Sequence, residues 1–233
     1  MEVLSVIFFD LDGTLIDSNG VWVQIDLDFL SRRGLTPTTE YTDMVAHSIF
    51  PAAARFTRDY YGLSDSPEDI MAQWRDMAYN AYAHTIPLKP GARALLEGLS
   101  ARGEPMALLT ASLPELCRAS LARHGLNRYF QGFFFAQEAG LEKRDPAVYP
   151  LAAERFGCSP DRCILLEDAP DNCAAASAAG FTVVGVYDDF YSPRWADVAA
   201  HSHRTVRSLE DLLPDLNGGA FSLTASPCTE RRI

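Results

Sequence analysis

Lysine is nearly missing from this chain. Lys89 and Lys143 stand against eighteen arginines, and none lies between Ile16 and Leu88. A sequence that meets its need for positive charge with arginine makes each lysine worth locating. The chain is also short of positive charge overall, at −11 net, which argues against non-specific nucleic-acid binding. It lacks any run of about 18 apolar residues, so no membrane-spanning helix is expected. It lacks a C-x-x-C pair. The five cysteines, Cys117, Cys158, Cys163, Cys173 and Cys228, are odd in number, which predicts reduced thiols and a cytoplasmic protein. Cys163 and Cys173 fall in apolar stretches and read as packing. Met1-Glu2 begins with an acid and runs straight into apolar residues, so no signal peptide is expected. There is no internal repeat, and nothing that sets an oligomeric state.

What is present is a chain of 233 residues, 48% hydrophobic, enough for one core with a smaller insert. It is organised around Val6-Ile7-Phe8-Phe9-Asp10-Leu11-Asp12-Gly13-Thr14-Leu15. A continuous apolar run reads as a buried parallel strand, and in open α/β sheets chemistry sits beyond the strand's carboxyl end. Asp10 and Asp12 therefore sit at a rim, one residue apart. Two hard oxygen donors there suit Mg²⁺, and one acid can attack phosphorus while the other handles protons. Gly13 lets the backbone bend. The competing reading is an acidic turn that merely ends a strand.

From Ile16 to about Leu88 the texture is helical. Trp22, Ile25 and Phe29 recur at three and four, as do Ile70, Trp74, Met77 and Ala81. Ser64-Asp-Ser-Pro67 opens the later helix. Alternation of helix and strand resumes at Pro90-Gly91. Helices are expected at 92–102, from Ser112-Leu-Pro-Glu115 (a capping-box pattern) to His124, at 146–156 and at 172–179, with a final turn at 209–213. Strands are expected at 106–110, 133–135, 163–167 and 181–187, with a short edge strand at 203–207. The fold class is α/β: a Rossmann-like, doubly wound parallel sheet with a helical cap inserted after the first strand. The core takes residues 1–15 and 89–213, the cap takes 16–88, and residues 214–233 read as a disordered tail.

Three further strand ends carry polar groups suited to a phosphate. Thr110 ends one strand, and its hydroxyl with the amides of Ala111 and Ser112 can bind an anionic oxygen. Lys143 lies in a loop before a helix. Glu167-Asp168 ends a five-residue apolar strand and repeats the logic of Asp10 and Asp12.

Asp10-Leu-Asp-Gly-Thr14, Leu108-Leu-Thr110, Lys143 and Glu167-Asp-Ala-Pro-Asp-Asn172 with Ala178-Ala-Gly180 resemble the four ordered motifs of the haloacid dehalogenase superfamily. The insert resembles its type I cap, as in phosphoglycolate-phosphatase-like and β-phosphoglucomutase-like members. The resemblance spans roughly residues 3–213. It implies Mg²⁺-dependent hydrolysis of a small phosphomonoester through an aspartyl-phosphate. Asp10 would be the nucleophile and Asp12 the general acid and base, its carbonyl also touching the metal. Thr110 and Lys143 would hold phosphoryl oxygens. Asp168 would bind Mg²⁺, with Glu167 beside it or one water away. Arg144 departs from the usual proline after the lysine and reads as solvated.

Other chemistries of the superfamily are weighed by what the chain holds. Asp12 argues against a dehalogenase, and the lysine-free insert against a phosphonate-cleaving Schiff base. A phosphomutase and a catalytically silent binding protein remain as alternatives. Leaving-group contacts would come from the insert, with Asn19, Trp22, Gln24, His47, Arg55 and Arg58 as candidates, any of which is also suited to cap surface or cap core.

Overall fold

The computed structural model describes residues 5–46 and 50–217. His47, Cys228 and the expected tail from residue 218 lie outside them. The chain divides into two compact units, Met1–Ser18 with Ile86–Ile233, and Asn19–Thr85.

The larger unit is built on a six-stranded parallel sheet. In chain order its strands are β1 (Val6–Phe9), β2 (Met106–Thr110), β3 (Gly132–Phe135), β4 (Cys163–Glu167), β5 (Thr182–Val186) and β6 (Arg204–Val206). The spatial order is β3-β2-β1-β4-β5-β6, so β1 lies between β2 and β4. The order turns at β1, the topological switch point where such sheets place their ligands. Register aligns the strand ends: Phe9 pairs with Leu108 on one side and Leu166 on the other. Helices α5 (Ala92–Ala101), α6 (Pro114–Arg123), α7 (Val148–Arg155), α8 (Pro170–Ala178) and α9 (Trp195–Ala200) connect them, numbered after the four helices of the insert. Val6 and Phe8 pack with Tyr149, Ala152, Cys173 and Phe181 on one face. Their neighbours Ile7 and Phe9 are buried too, so both faces of β1 are covered, as its unbroken apolar run requires.

Four details differ from the sequence reading. The helix expected from the Ser112 capping box begins at Pro114, with Leu113 as N-cap and no side-chain cap. Proline at the first helical position has no N–H to be capped and fixes the entry there. Helix α7 begins at Val148, not residue 146. Pro150 thus falls in the first turn, where a missing N–H costs nothing. The final turn continues to Asn217 as a 3₁₀ helix. Leu216 fills the space above Gly98, where a Cβ would meet Leu216 Cδ1 at 2.3 Å, and its carbonyl accepts from Arg102 at 2.8 Å. A 3₁₀ segment, Asp189–Arg194, and helix α9 also occupy a stretch with no strong periodicity.

The smaller unit is helical: α1 (Val21–Ser31), α2 (Thr39–Ala46), α3 (Phe50–Tyr61) and α4 (Pro67–His84). Helix α4 starts on a reciprocal capping box between Ser66 and Asp69, with Pro67 at its first position. It buries Ile70, Trp74, Ala78 and Tyr82, a stripe spaced by four. Trp74 meets Phe29 of α1 edge to face, ring centroids 5.6 Å apart. Arg33 lies 3.8 Å over the Phe29 ring and donates to Asp65 and Gln73, bracing α1 against the start of α4.

Candidate active site

Asp10 follows β1 directly and is almost fully buried. Its amide donates to Leu166 O at 3.0 Å, which continues the β1–β4 ladder one residue past the strand and sets Asp10 beside Glu167. The chain then curls. Leu15 N and Ile16 N both donate to Leu11 O, and Gly13 N donates to Ile16 O. Gly13 takes φ = 81°, a conformation costly for any residue with a Cβ.

Three carboxylates converge here. Oxygens of Asp10, Glu167 and Asp168 lie within 4.8 Å of one another, all buried. Lys143 is the cation among them: its Nζ donates to Asp10 Oδ1 at 2.6 Å and to Glu167 Oε2 at 2.5 Å. The scarce lysine is thus an interior residue, 3% exposed, rather than a solvated one. Tyr149 of α7 holds its backbone, the hydroxyl lying 2.8 Å from Lys143 O and 3.0 Å from Asn172 O. Arg144, next along, is exposed and paired with Glu142 at the surface.

The two acids that end β4 are used differently. Glu167 Oε1 accepts from the amides of Asp168 and Ala169 and from Asn172 Nδ2, at 3.2, 3.0 and 3.3 Å. With Oε2 on Lys143, both of its oxygens are engaged by protein donors. Asp168 accepts at Oδ1 from Thr14 Oγ1 at 3.0 Å. Asp12 is not in the carboxylate group; its Oδ1 accepts from the buried Ser18 hydroxyl at 2.7 Å. Asp10 and Asp12 therefore take different hydrogen-bond donors, although the nearby Asp12 charge still helps to raise the Asp10 carboxyl.

The electrostatics follow. Burial pushes the Asp10 carboxyl well above its ordinary range, Glu167 adds to this, and Lys143 opposes it. Burial would lower the Lys143 ammonium, but Asp10 and Glu167 outweigh it and hold the group above its usual value. Three buried carboxylates against one ammonium leave an excess of negative charge and a set of hard oxygen donors. That combination fits a small divalent cation such as Mg²⁺.

Thr110 ends β2, fully buried, two residues beyond the partner of Phe9. The Ser112 amide is not free, as the sequence reading had it, but donates to Thr110 Oγ1 at 2.9 Å. Accepting that bond leaves the threonine proton to be given elsewhere. Ala111 is exposed and Ser112 half-buried, and both precede α6 rather than starting it.

In the insert, Asn19 is half-buried. Trp22 is 39% exposed, and its ring meets Phe50 edge to face. Gln24 is exposed and bonds Asp28; Arg55 is exposed; Arg58 pairs with Asp59. The sequence reading assigned no role to Thr14, Ser18, Tyr149 or Asn172. Thr14 and Asn172 stand in the motifs that carry the resemblance, whereas for Ser18 and Tyr149 the signal was proximity alone, six residues after Asp12 and six after Lys143.

The sequence matches the haloacid dehalogenase-like hydrolase family over residues 4–180. It is 31% identical over 198 residues to hexitol phosphatase A of Escherichia coli, covering 83% of this chain and 89% of that protein. It is 26% identical to a phosphoglycolate phosphatase of Yersinia pestis, covering 88% and 90% respectively. A haloacid dehalogenase family hydrolase from Deinococcus radiodurans, crystallised with phosphate and sodium, shares the fold at a TM-score of 0.70 and 23% identity. That alignment covers 93% of this chain and 98% of that one.

Proposed function

The chain belongs to the haloacid dehalogenase-like hydrolases, and on that premise we propose that it is an Mg²⁺-dependent phosphatase acting on a small phosphomonoester through an aspartyl-phosphate. The observation that carries this reading is the separation of the two acids: Asp10 rests on Lys143 at 2.6 Å, and Asp12 on Ser18 at 2.7 Å. Two carboxylates in different environments are what a nucleophile and a proton carrier need.

Asp10 attacks phosphorus as a carboxylate. Lys143 favours that ionised form and, with the Thr110 hydroxyl and the Ala111 amide, holds phosphoryl oxygens. Asp12 protonates the leaving oxygen, then takes a proton from the water that hydrolyses the acyl phosphate. Asp10 and Asp168, with the Asp12 carbonyl, would hold Mg²⁺, which supplies charge neutralisation so that an anionic nucleophile can approach an anionic substrate. Glu167 acts through others: it anchors the start of α8 and fixes Lys143. Choice among leaving groups we assign to the insert, with Asn19, Trp22 and Arg55 as the residues to vary.

The named relatives make hexitol phosphates and phosphoglycolate the first substrates to try. Release of inorganic phosphate from such a panel with Mg²⁺, abolished by a chelator, is the expected result. Transfer of the phosphoryl group to a second hydroxyl of the substrate, or no turnover of any phosphomonoester, would overturn the reading.

A further inference from the structure

No spacing in the sequence pairs any of the cysteines, yet Cys158 Sγ and Cys163 Sγ lie 3.2 Å apart. Four residues lie between them, and the 3₁₀ turn Pro160–Arg162 folds one back onto the other. Both are free thiols. Cys163 opens β4 and is fully buried; Cys158 follows α7 and is half-exposed. Each also lies near a backbone carbonyl, Cys158 at 3.4 Å from Ala153 O and Cys163 at 3.3 Å from Ser159 O. Cys117 and Cys173 are buried as well, but neither has a cysteine partner among the described residues.

We propose that Cys158 and Cys163 form a reversible dithiol–disulfide pair, closed by hydrogen peroxide or another hydroperoxide. A disulfide bond is about 2.05 Å long, so the sulfurs need approach by only about 1.2 Å. Cys158, half-buried against the core and the more accessible of the two, reacts first. Its thiolate sulfur attacks one peroxide oxygen, the O–O bond breaks, and the other oxygen leaves as water after taking a proton. Cys158 is then a sulfenic acid. The Cys163 sulfur attacks the Cys158 sulfur; the S–S bond forms, the S–O bond breaks, and the hydroxide leaves with the Cys163 proton as water. Two thiols are oxidised by two electrons and one peroxide is reduced to two waters. Burial pushes the Cys163 thiol up, so the first step falls to Cys158, and Cys163 gives up its proton only as it attacks the adjoining sulfenic sulfur.

The pair lies away from the carboxylates. Cys163 and Glu167 are the first and last residues of β4, about 13 Å apart along a strand. The bond would tie the exit of α7 to the entry of β4. Those two elements hold Lys143, through Tyr149, and Glu167. Oxidation should therefore raise the melting temperature while leaving turnover intact.

The test treats the full-length protein with hydrogen peroxide and maps tryptic peptides without reduction. Cleavage after Arg155, Arg162 and Arg194 places the two cysteines on separate peptides, 156–162 and 163–194. The expected result is a linked pair of these peptides, lighter by two hydrogens than their sum, with fragment spectra assigning the bond to Cys163 rather than Cys173. Dithiothreitol should undo both the link and the rise in melting temperature. Cys158→Ser and Cys163→Ala should each abolish the link. If Cys163→Ala fails to fold, Cys158→Ser alone still tests the claim, since that position is half-exposed. Cys158 paired with Cys228, sulfinic acid accumulating at Cys158, or no loss of thiols would each overturn the proposal.

Discussion

Ser18 donates to Asp12 Oδ1 across 2.7 Å, while Asp10, two residues nearer the strand, takes its hydrogen bond from Lys143. Ser18 is 2% exposed and its hydroxyl is a fixed protein donor to Asp12, which is itself half-buried. The loop Leu11–Ile16 makes this possible by folding back on Leu11 O, which returns Ser18 to the acid six residues before it.

Ser18→Ala should therefore weaken proton handling and spare nucleophilic attack. A hydrogen bond to a charged group is worth about 1.5–3 kcal/mol, or roughly ten- to a hundredfold in rate. The loss in kcat should be near that size for an alkyl phosphate, whose leaving group needs a proton, and smaller for an aryl phosphate. Equal losses on both would contradict the role given to Asp12.

Lys143→Met removes the single cation between Asp10 and Glu167. Breaking one partner out of a buried ion cluster costs about 3–5 kcal/mol. Denaturant unfolding should show a loss of that order at neutral pH and no turnover. The loss should shrink in mild acid, because protonating Asp10 relieves the uncompensated charge. A variant as stable as the parent would place Lys143 outside the cluster.

The metal prediction has a pH sign. Asp10's carboxyl is raised by burial first and Glu167 second. An acid raised in the folded state binds its proton more tightly folded than unfolded. Its contribution is therefore full below the unfolded value and is lost as pH rises through the folded one. Metal-free protein should lose stability as pH climbs from about 4. Lys143, held above its ordinary value, stays charged through that range. Mg²⁺ prefers the ionised carboxylate, so its stabilisation should grow over the same window. At a hundred times its Kd the cation should add about 2.7 kcal/mol, a rise of roughly 5–10 °C in Tm. Thermal melts with Mg²⁺ and with a chelator at two pH values decide this. Ca²⁺, with looser geometry and more ligands, should bind and inhibit.

Trp22→Ala and Arg55→Ala should reorder a panel of phosphomonoesters without changing the rate at which a given phosphoenzyme hydrolyses. Arg55 is exposed, so its loss should move stability by less than about 1 kcal/mol, whereas Trp22 is 39% exposed and gives up its edge contact with Phe50, a further loss of about 0.5–1.5 kcal/mol. Unfolding without any change of substrate ranking would make them structural residues of the insert.

Much of this was legible in the sequence because the strands are buried on both faces. An unbroken apolar run such as 163–166 marks its own ends, and the acid at its carboxyl end marks the rim. The second layer was hidden because it depends on tertiary return of the chain. Ser18 reaches Asp12 only through the fold of a loop, and Tyr149 reaches Lys143 only because α7 packs under the sheet. The Ser112 capping box failed because Pro114 takes the first helical position, leaving the Ser112 amide to bond Thr110 instead. Cys158 and Cys163 meet through a 3₁₀ turn that has no periodic signature.

The central claim is that Asp10, and not Asp12, carries the phosphoryl group. Asp12→Asn keeps the nucleophile and the backbone carbonyl and loses only proton transfer, typically worth about a hundred- to ten-thousand-fold. With an aryl phosphate, which needs little protonation to depart, this variant should be phosphorylated and then hydrolyse slowly. Mass spectrometry after a rapid acid quench should find the added phosphoryl mass on Asp10, and Asp10→Asn should show none. A phosphoryl group on Asp12, or on a serine or threonine, would contradict the account.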